Sequence, residues 1–191
     1  MSTNDTKKVS VGKPKVGGAV YRAPAGTVLP TDAKTDLDAA YKALGYISED
    51  GMENEISIDA DEIKAWGGDT VARPQKGKSQ TFKFTLIQVL DTDVLQAVYN
   101  TDNVTGTLST GVTVRVNTNE AEEAVYVFEL ILTDNVVKRI VVPCGKLSEL
   151  GTITYKDDEA IGFETTITAL PGGPDFGYDM SKEYLYKKPT E

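Results

Sequence analysis

The sequence contains no histidine and only one cysteine, Cys144, in 191 residues. The first absence removes Ser-His-Asp and Cys-His nucleophilic arrangements and the commonest zinc sites. The second removes an intramolecular disulfide or a cysteine-rich cluster, so neither an oxidising compartment nor a disulfide scaffold is implied. Cys144 sits between Pro143 and Gly145 at the end of a strand pattern and reads as a packed small hydrophobe rather than a nucleophile. There is no glycine-rich phosphate loop. No stretch approaches the ~20 apolar residues needed to span a bilayer, and the polar opening Met1 to Lys8 does not read as a signal peptide. Bases are in the minority: 20 Lys and Arg stand against 29 Asp and Glu, a formal net charge of -9. Gripping nucleic acid through its phosphates needs bases concentrated on one surface, which this balance opposes. A surface that nucleic acid merely passes is compatible with it.

What is present is β-pattern. Glu53 to Trp66 alternates, with Ile56, Ile58 and Ala60 facing one way and Glu55, Ser57 and Asp59 the other. The alternation slips at Asp61-Glu62, where one extra residue, a β-bulge, restores a single apolar face. Thr81 to Leu90 resumes with Phe82, Phe84 and Leu86 opposed to Lys83 and Thr85. The intervening 67–80 reads as a polar loop, so the pair forms a long hairpin with a tip too large for a tight turn, and loops of that length are contact candidates. Gly111 to Asn117 alternates, and Val125 to Leu132 and Val136 to Val142 are nearly continuous apolar runs joined at Thr133-Asp134-Asn135. Strands apolar on both faces need cover on both sides. Thr152 to Lys156 and Ala160 to Ala169 complete the strands, and in the latter Ile161, Phe163, Thr165 and Ile167 oppose Glu164, Thr166 and Thr168.

Two helices are expected. Thr35 to Leu44 has a capping Thr35, early acids Asp36 and Asp38, and Leu37, Tyr41 and Leu44 on one face. Asp91 to Tyr99 has a capping Asp91 or Thr92 and i,i+4 pairs Val94/Val98 and Leu95/Tyr99. Residues 1–19 read as an N-terminal arm, either a disordered terminus or an extended segment whose spaced Val9, Val11 and Val16 lie along a neighbour, with Gly12, Pro14, Gly17 and Gly18 breaking regular structure. Residues 20–170 form the domain. Residues 171–191, opening on Pro171-Gly172-Gly173-Pro174, form a C-terminal arm whose Phe176, Tyr178, Tyr184, Leu185 and Tyr186 are expected to dock on the domain or on a neighbour.

Acids invite a paired-carboxylate hydrolase, at Asp59, Asp61 and Glu62 or at Asp157, Asp158 and Glu159, and the second trio also resembles a weak calcium site. The second group lies in a turn where acids serve solvation, and no 12-residue calcium loop with its internal glycine is present. More telling is the distribution. Glu49, Asp50, Glu53, Glu55, Asp59, Asp61 and Glu62 fall in one stretch with no Lys or Arg, either as an ordinary solvated face or as a negative lining.

The segments VGKPKVGGAVYRAPAGTVLPTDA (11–33), LGYISEDGMENEISID (44–59), IKAWGGDTV (63–71), FTLIQVLDTDVLQAVYN (84–100) and VPCGKLSELGTITYKDDEAIGFETTITALP (142–171) carry a likeness across nearly the whole chain. Their order and spacing resemble the major tail tube proteins of long-tailed, siphovirus-type bacteriophages of Gram-positive hosts. The resemblance implies a mainly β protein, a β-sandwich or barrel with a flanking α-helix at about 91–99, a long hairpin loop at about 67–80 and extended terminal arms. It further implies a structural role without catalysis, cofactor or metal, in six-membered rings stacked into a hollow conduit for DNA. Implied partners are further copies of the chain, the tape measure protein, the tail terminator and the distal tail protein, with assembly in the host cytoplasm and a final place in the virion tail. The acidic strand, Glu53, Glu55, Asp59 and Asp61, is the candidate luminal face, because DNA slides past like charge. Arg73, Lys76 and Lys78 are the candidate inter-ring contacts. Rival readings are the inner tube of a contractile or secretion-like injection machine, and a monomeric β-sandwich adhesion or carbohydrate-binding module.

Overall fold

The period-two pattern dictates the architecture of the computed structural model, which describes residues 4–15 and 18–189. Val16 and Gly17, assigned above to the N-terminal arm, lie outside the described residues. In chain order the first strands are β1 (Lys13–Pro14), β2 (Val20–Pro24), β3 (Lys42–Ala43) and β4 (Ile47–Ala60). There follow β5 (Ile63–Lys64), β6 (Thr70–Ala72) and β7 (Gln75–Leu86), then helix α1 (Thr92–Tyr99). The remainder is β8 (Val104–Thr107), β9 (Gly111–Val114), β10 (Glu123–Leu132), β11 (Val136–Leu150), β12 (Phe163–Leu170) and β13 (Lys182–Lys187).

The main sheet runs β3-β2-β10-β11-β12-β7-β4 with antiparallel neighbours, while β1 extends one side of β10 and β13 pairs with β11. Two strands separate β7 from β10 in that order, yet the Phe82 and Phe128 rings stack at 4.7 Å and Phe84 meets Phe128 edge-on at 5.7 Å. The sheet therefore curls back on itself, giving the sandwich-like closure that buries aromatics from β7 against β10. α1 plugs this inner core with Val94 and Val98, both buried, and Tyr99 packs edge-on to Phe163 at 5.8 Å. Asp91 caps the helix by accepting from the Asp93 amide at 2.9 Å, as its sequence position predicts.

β10 and β11 are covered on their other face too. Val125, Val127 and Val141 form an outer cluster with Ala23, Tyr41 and Phe176, joined by Leu29, Leu37 and Tyr184. Most of this cover comes from an irregular strap over 25–41, where the sequence suggests the start of a helix at Thr35. No helix forms, for two physical reasons. Asp32 accepts from the Lys34 and Thr35 amides and the Thr35 hydroxyl at 2.7–2.8 Å, and Asp38 accepts from the Ala40 amide at 2.8 Å. Such local turns compete with helical bonding. Tyr41 and Leu44 are also buried in different clusters, on opposite faces of the sheet, whereas a helix turns i and i+3 the same way. Strand pairing of Lys42–Ala43 with β2 delivers that split.

A buried ionic group closes the outer face. Glu129 and Arg139 sit directly opposite each other on β10 and β11, 0% and 1% exposed. Arg139 donates to Glu129 Oε1 through Nη2 and, at 2.8 Å, through Nε, while its Nη1 donates to the Asp32 carbonyl at 2.8 Å. Lys15 Nζ reaches the other Glu129 oxygen at 2.6 Å. One carboxylate thereby ties the N-terminal segment and the two central strands together, and its guanidinium partner adds the strap.

Several boundaries differ from the sequence reading. The segment 67–80 is mostly ladder: β7 begins at Gln75 and the true tip is a turn at Ala65–Asp69, where Ala65 N donates to Asp69 O at 2.8 Å. Gly67 and Gly68, at φ +123° and +99°, supply backbone that other residues resist. The register slip falls between Asp59 and Ala60, with Lys76 on the opposite strand as the extra residue rather than Asp61 or Glu62. Thr152–Lys156 forms no strand, because the β11–β12 ladder has ended by Leu150 and Thr165. Both terminal segments pair with the chain's own sheet, β1 with β10 and β13 with β11.

Removing one partner from a buried ion pair strands the other. Glu129→Gln is expected to destabilise the subunit by about 3–5 kcal/mol, read as a lowered denaturant midpoint. Lys156→Ala, which breaks an exposed pair with Glu159 at 2.7 Å, is expected to cost under about 1 kcal/mol.

Candidate functional site

Strand alternation on β4 and β7 places every second residue of the hairpin on one polar face. The directly opposed pairs are Glu53 with Lys83, Glu55 with Thr81, Ser57 with Ser79 and Asp59 with Gly77. The face continues across β12, where Thr166 pairs with Lys83 and Thr168 with Thr81, and onto β11 at Glu149 and Lys146. Its centre is a shallow trough of about 400 Å³ lined by Glu53, Glu55, Thr81, Lys83, Ser148, Glu149 and Thr166. The reverse side of these strands carries Phe82, Phe84, Phe163 and Ile167 into the core. One sheet thus divides into an apolar inner surface and a belt of acids, hydroxyls and two lysines.

Both lysines are engaged. Lys83 donates to Glu164, and that hydrogen bond and charge, with Glu53 and Glu149 nearby, hold its ammonium pKa above the ordinary lysine value. Lys146 pairs with Glu120 at 2.7 Å, which raises its own pKa and lowers that of Glu120. With each base held by an acid, Glu53, Glu55, Glu149 and Asp59 give the belt its negative sign.

The acids named from the sequence are thus divided by the structure. Glu53, Glu55 and Asp59 share the polar face. Asp61 stands past the end of the ladder, where its amide donates to Pro74 O at 3.0 Å and its carboxylate lies 3.4 Å from Lys76. Of the bases, Arg73 lies 3.4 Å from Glu62 and Lys76 pairs with Asp61, so both meet acids within the same hairpin. Lys78 lies opposite Ile58, on the other side of the ribbon from Asp59.

Thr81, Lys83, Glu149, Glu164 and Thr166 join this face without being marked for it by the sequence pattern. The polar phase of Glu164, Thr166 and Thr168 was a usable signal, but joining it to Glu53 required the register of β12 on β7. The ionic group at Glu129 was hidden inside an apolar run. No cluster of three or more metal-ligating side chains occurs among the described residues.

Cys144 is half-buried within β11, with its thiol 3.4 Å from the Glu123 carboxylate. Burial, then the hydrogen bond to Glu123 and its charge, push the thiol pKa up to about 11. Alkylation by iodoacetamide is therefore expected to be far slower at pH 7.5 than for a free thiol and to accelerate as pH rises toward 11, with Glu123→Gln moving the rise to lower pH. A rate at pH 7.5 equal to that of glutathione would contradict this environment.

A family model described as phage tail tube protein matches residues 1–177. No curated protein matches the chain.

Proposed function

The chain belongs to the phage tail tube protein family, and from that premise we propose how its surfaces are used. It is a structural subunit of a phage tail tube, not an enzyme, and its place is the tail of the virion. In our reading, residues 20–170 build the wall of the tube as six-membered rings stacked on one another, with 1–19 and 171–191 as arms. Subunits join rings in the host cytoplasm around the tape measure protein, between the distal tail protein and the tail terminator. The tail is non-contractile, the kind its motifs resemble.

The observation that carries this reading is the polar belt. It is a broad, shallow sheet face without a deep cleft, and its bases are already held by acids. DNA passing it meets carboxylates and hydroxyls, and finds no row of free cations to bind its phosphates. Glu53, Glu55 and Asp59 are assigned to the lumen on this basis, together with Glu149. The open edge of β4 supports the ring: it ends the sheet order, and an exposed edge strand recruits another strand unless covered. Arg73, Lys76 and Lys78 lie at or near the hairpin tip and are assigned to the contact between rings.

The purified subunit at high concentration is expected to form hollow tubes of uniform width in negative stain, and a persistent monomer would overturn the assembly. The double variant Glu55→Lys with Asp59→Lys is expected to keep tubes of normal width while reducing DNA release per virion. Unchanged release would remove these residues from the channel. Replacing 61–74 by a two-residue turn leaves the β4–β7 ladder intact, and is expected to yield a folded subunit that does not polymerise. Normal tubes from that variant would refute the contact role of the tip.

A further inference from the structure

The hairpin of β4 and β7 ends in surface that one molecule cannot cover. β12 flanks β7 only over Gln80–Leu86, so Gln75–Ser79 and the facing part of β4 project as a two-stranded ribbon. Ribbons of this kind are marginal in water without a packed face. Beyond them Trp66, the single tryptophan of the chain, stands fully exposed on the Ala65–Asp69 turn, with Ile63 and Val71 exposed beside it. A fully exposed tryptophan at a hairpin tip, with two more exposed apolar residues on the short strands leading to it, is apolar surface that a partner can cover.

At the other end of the same hairpin is an apolar groove of about 530 Å³. Its walls include Lys15, Ala19, Ala43, Tyr46, Ile47 and Asp91. Ile47 is the base residue of β4, paired with Leu86, whereas Ala60 at the far end pairs with Gln75. The twelve residues of β7 between them span about 40 Å at ~3.3 Å per residue. Trp66 and the groove thus lie at opposite ends of one rod.

Charge follows the same polarity. Residues 61–78 carry four bases (Lys64, Arg73, Lys76, Lys78) against three acids (Asp61, Glu62, Asp69), in a chain whose formal net charge is -9. The groove end presents one acid, Asp91, and one base, Lys15, whose ammonium is already held by Glu129, with exposed Glu49 and Asp50 just along β4. An exposed apolar tip of slightly basic charge and an apolar groove whose one base is already paired are compatible surfaces, and their separation forbids pairing within a molecule. Two different surfaces joined head to tail along one axis generate an open-ended stack.

We propose that the occupant of the groove is a second copy of this chain: Trp66 of one subunit inserts between Ala43, Tyr46 and Ile47 of the subunit stacked on it. This deepens the tube reading above and rests on it, assigning the receptor for the tip and the polarity of stacking. Every hairpin then points the same way along the tube.

The single tryptophan reports directly on the contact. In the dilute wild-type subunit its emission is expected to be red and freely quenched by acrylamide, and on tube formation to shift to the blue and lose most of that quenching. Trp66→Ala is expected to raise the critical concentration for assembly by about tenfold or more, as truncation of a central aromatic anchor does. Tyr46→Glu alters an exposed residue, leaves the subunit folded, and is expected to raise it similarly. If the two side chains meet, the double variant is little worse than either single one. Tubes in which Trp66 stays as quenchable as in the dilute subunit would overturn the docking and leave the tube standing, as would fully additive effects of the two variants. A subunit that stays monomeric at every concentration, with Trp66 exposed throughout, would overturn both.

Discussion

The structure depends on the double coverage of β10 and β11. Their apolar residues point both ways: Tyr126, Phe128, Ile140 and Val142 enter the inner core, and Val125, Val127 and Val141 enter the outer cluster. A strand pair of this kind is stable only between two layers. The inner layer comes from curling the sheet until β7 faces β10, with α1 filling the gap. The outer layer has no second sheet to draw on, so it is assembled from the 25–41 strap, Phe176 and the side of β13. Glu129 and Arg139 lie beneath this layer; Asp32, which accepts from Arg139, comes from the strap, and Lys15, which pairs with Glu129, comes from the N-terminal segment.

Much of this could be read in the sequence wherever one period governs. Residues 53–60, 81–86 and 163–169 alternate, and each is a strand with the phase its pattern predicts. Val94, Val98 and the Asp91 cap mark α1. The pattern misleads where long-range competition decides the outcome. Leu37, Tyr41 and Leu44 have helical spacing, but Tyr41 and Leu44 serve opposite faces of the sheet, and no local rule carries that information. Tyr41 adds a hydroxyl bonded to the Val28 carbonyl at 2.8 Å, and burial, followed by the charge of Asp38, raises its pKa to about 12. The strap is thus pinned by contacts invisible in its periodicity.

The same divide applies to the polar belt. The phase of Glu53, Glu55 and Asp59 along one strand was legible, since side chains alternate by geometry. That Lys83 and Glu164 stand beside them, and neutralise each other, depends on which strands are neighbours and in what register. The charges at the hairpin tip show a further effect of register. Arg73 and Lys76, conspicuous as an isolated basic group in the sequence, lie within 3.4 Å of Glu62 and Asp61 because the ribbon folds them together. Exposed pairs of this kind contribute little energy and are screened by salt, so Trp66, Ile63 and Val71 distinguish the tip more than its charge does.

The docking of β13 on β11 bears on how the subunit is made. β11 pairs with β10 through a three-residue connection, so that hairpin can form as soon as it leaves the ribosome. The Val136–Val141 edge of β11, however, is filled by residues 182–187. Until that segment emerges, the nascent chain presents an unsealed strand edge of strong β-propensity in a cell filling with identical copies. During the interval of translation between the two this edge is open to wrong pairing, and synthesis that slows within it lengthens the exposure.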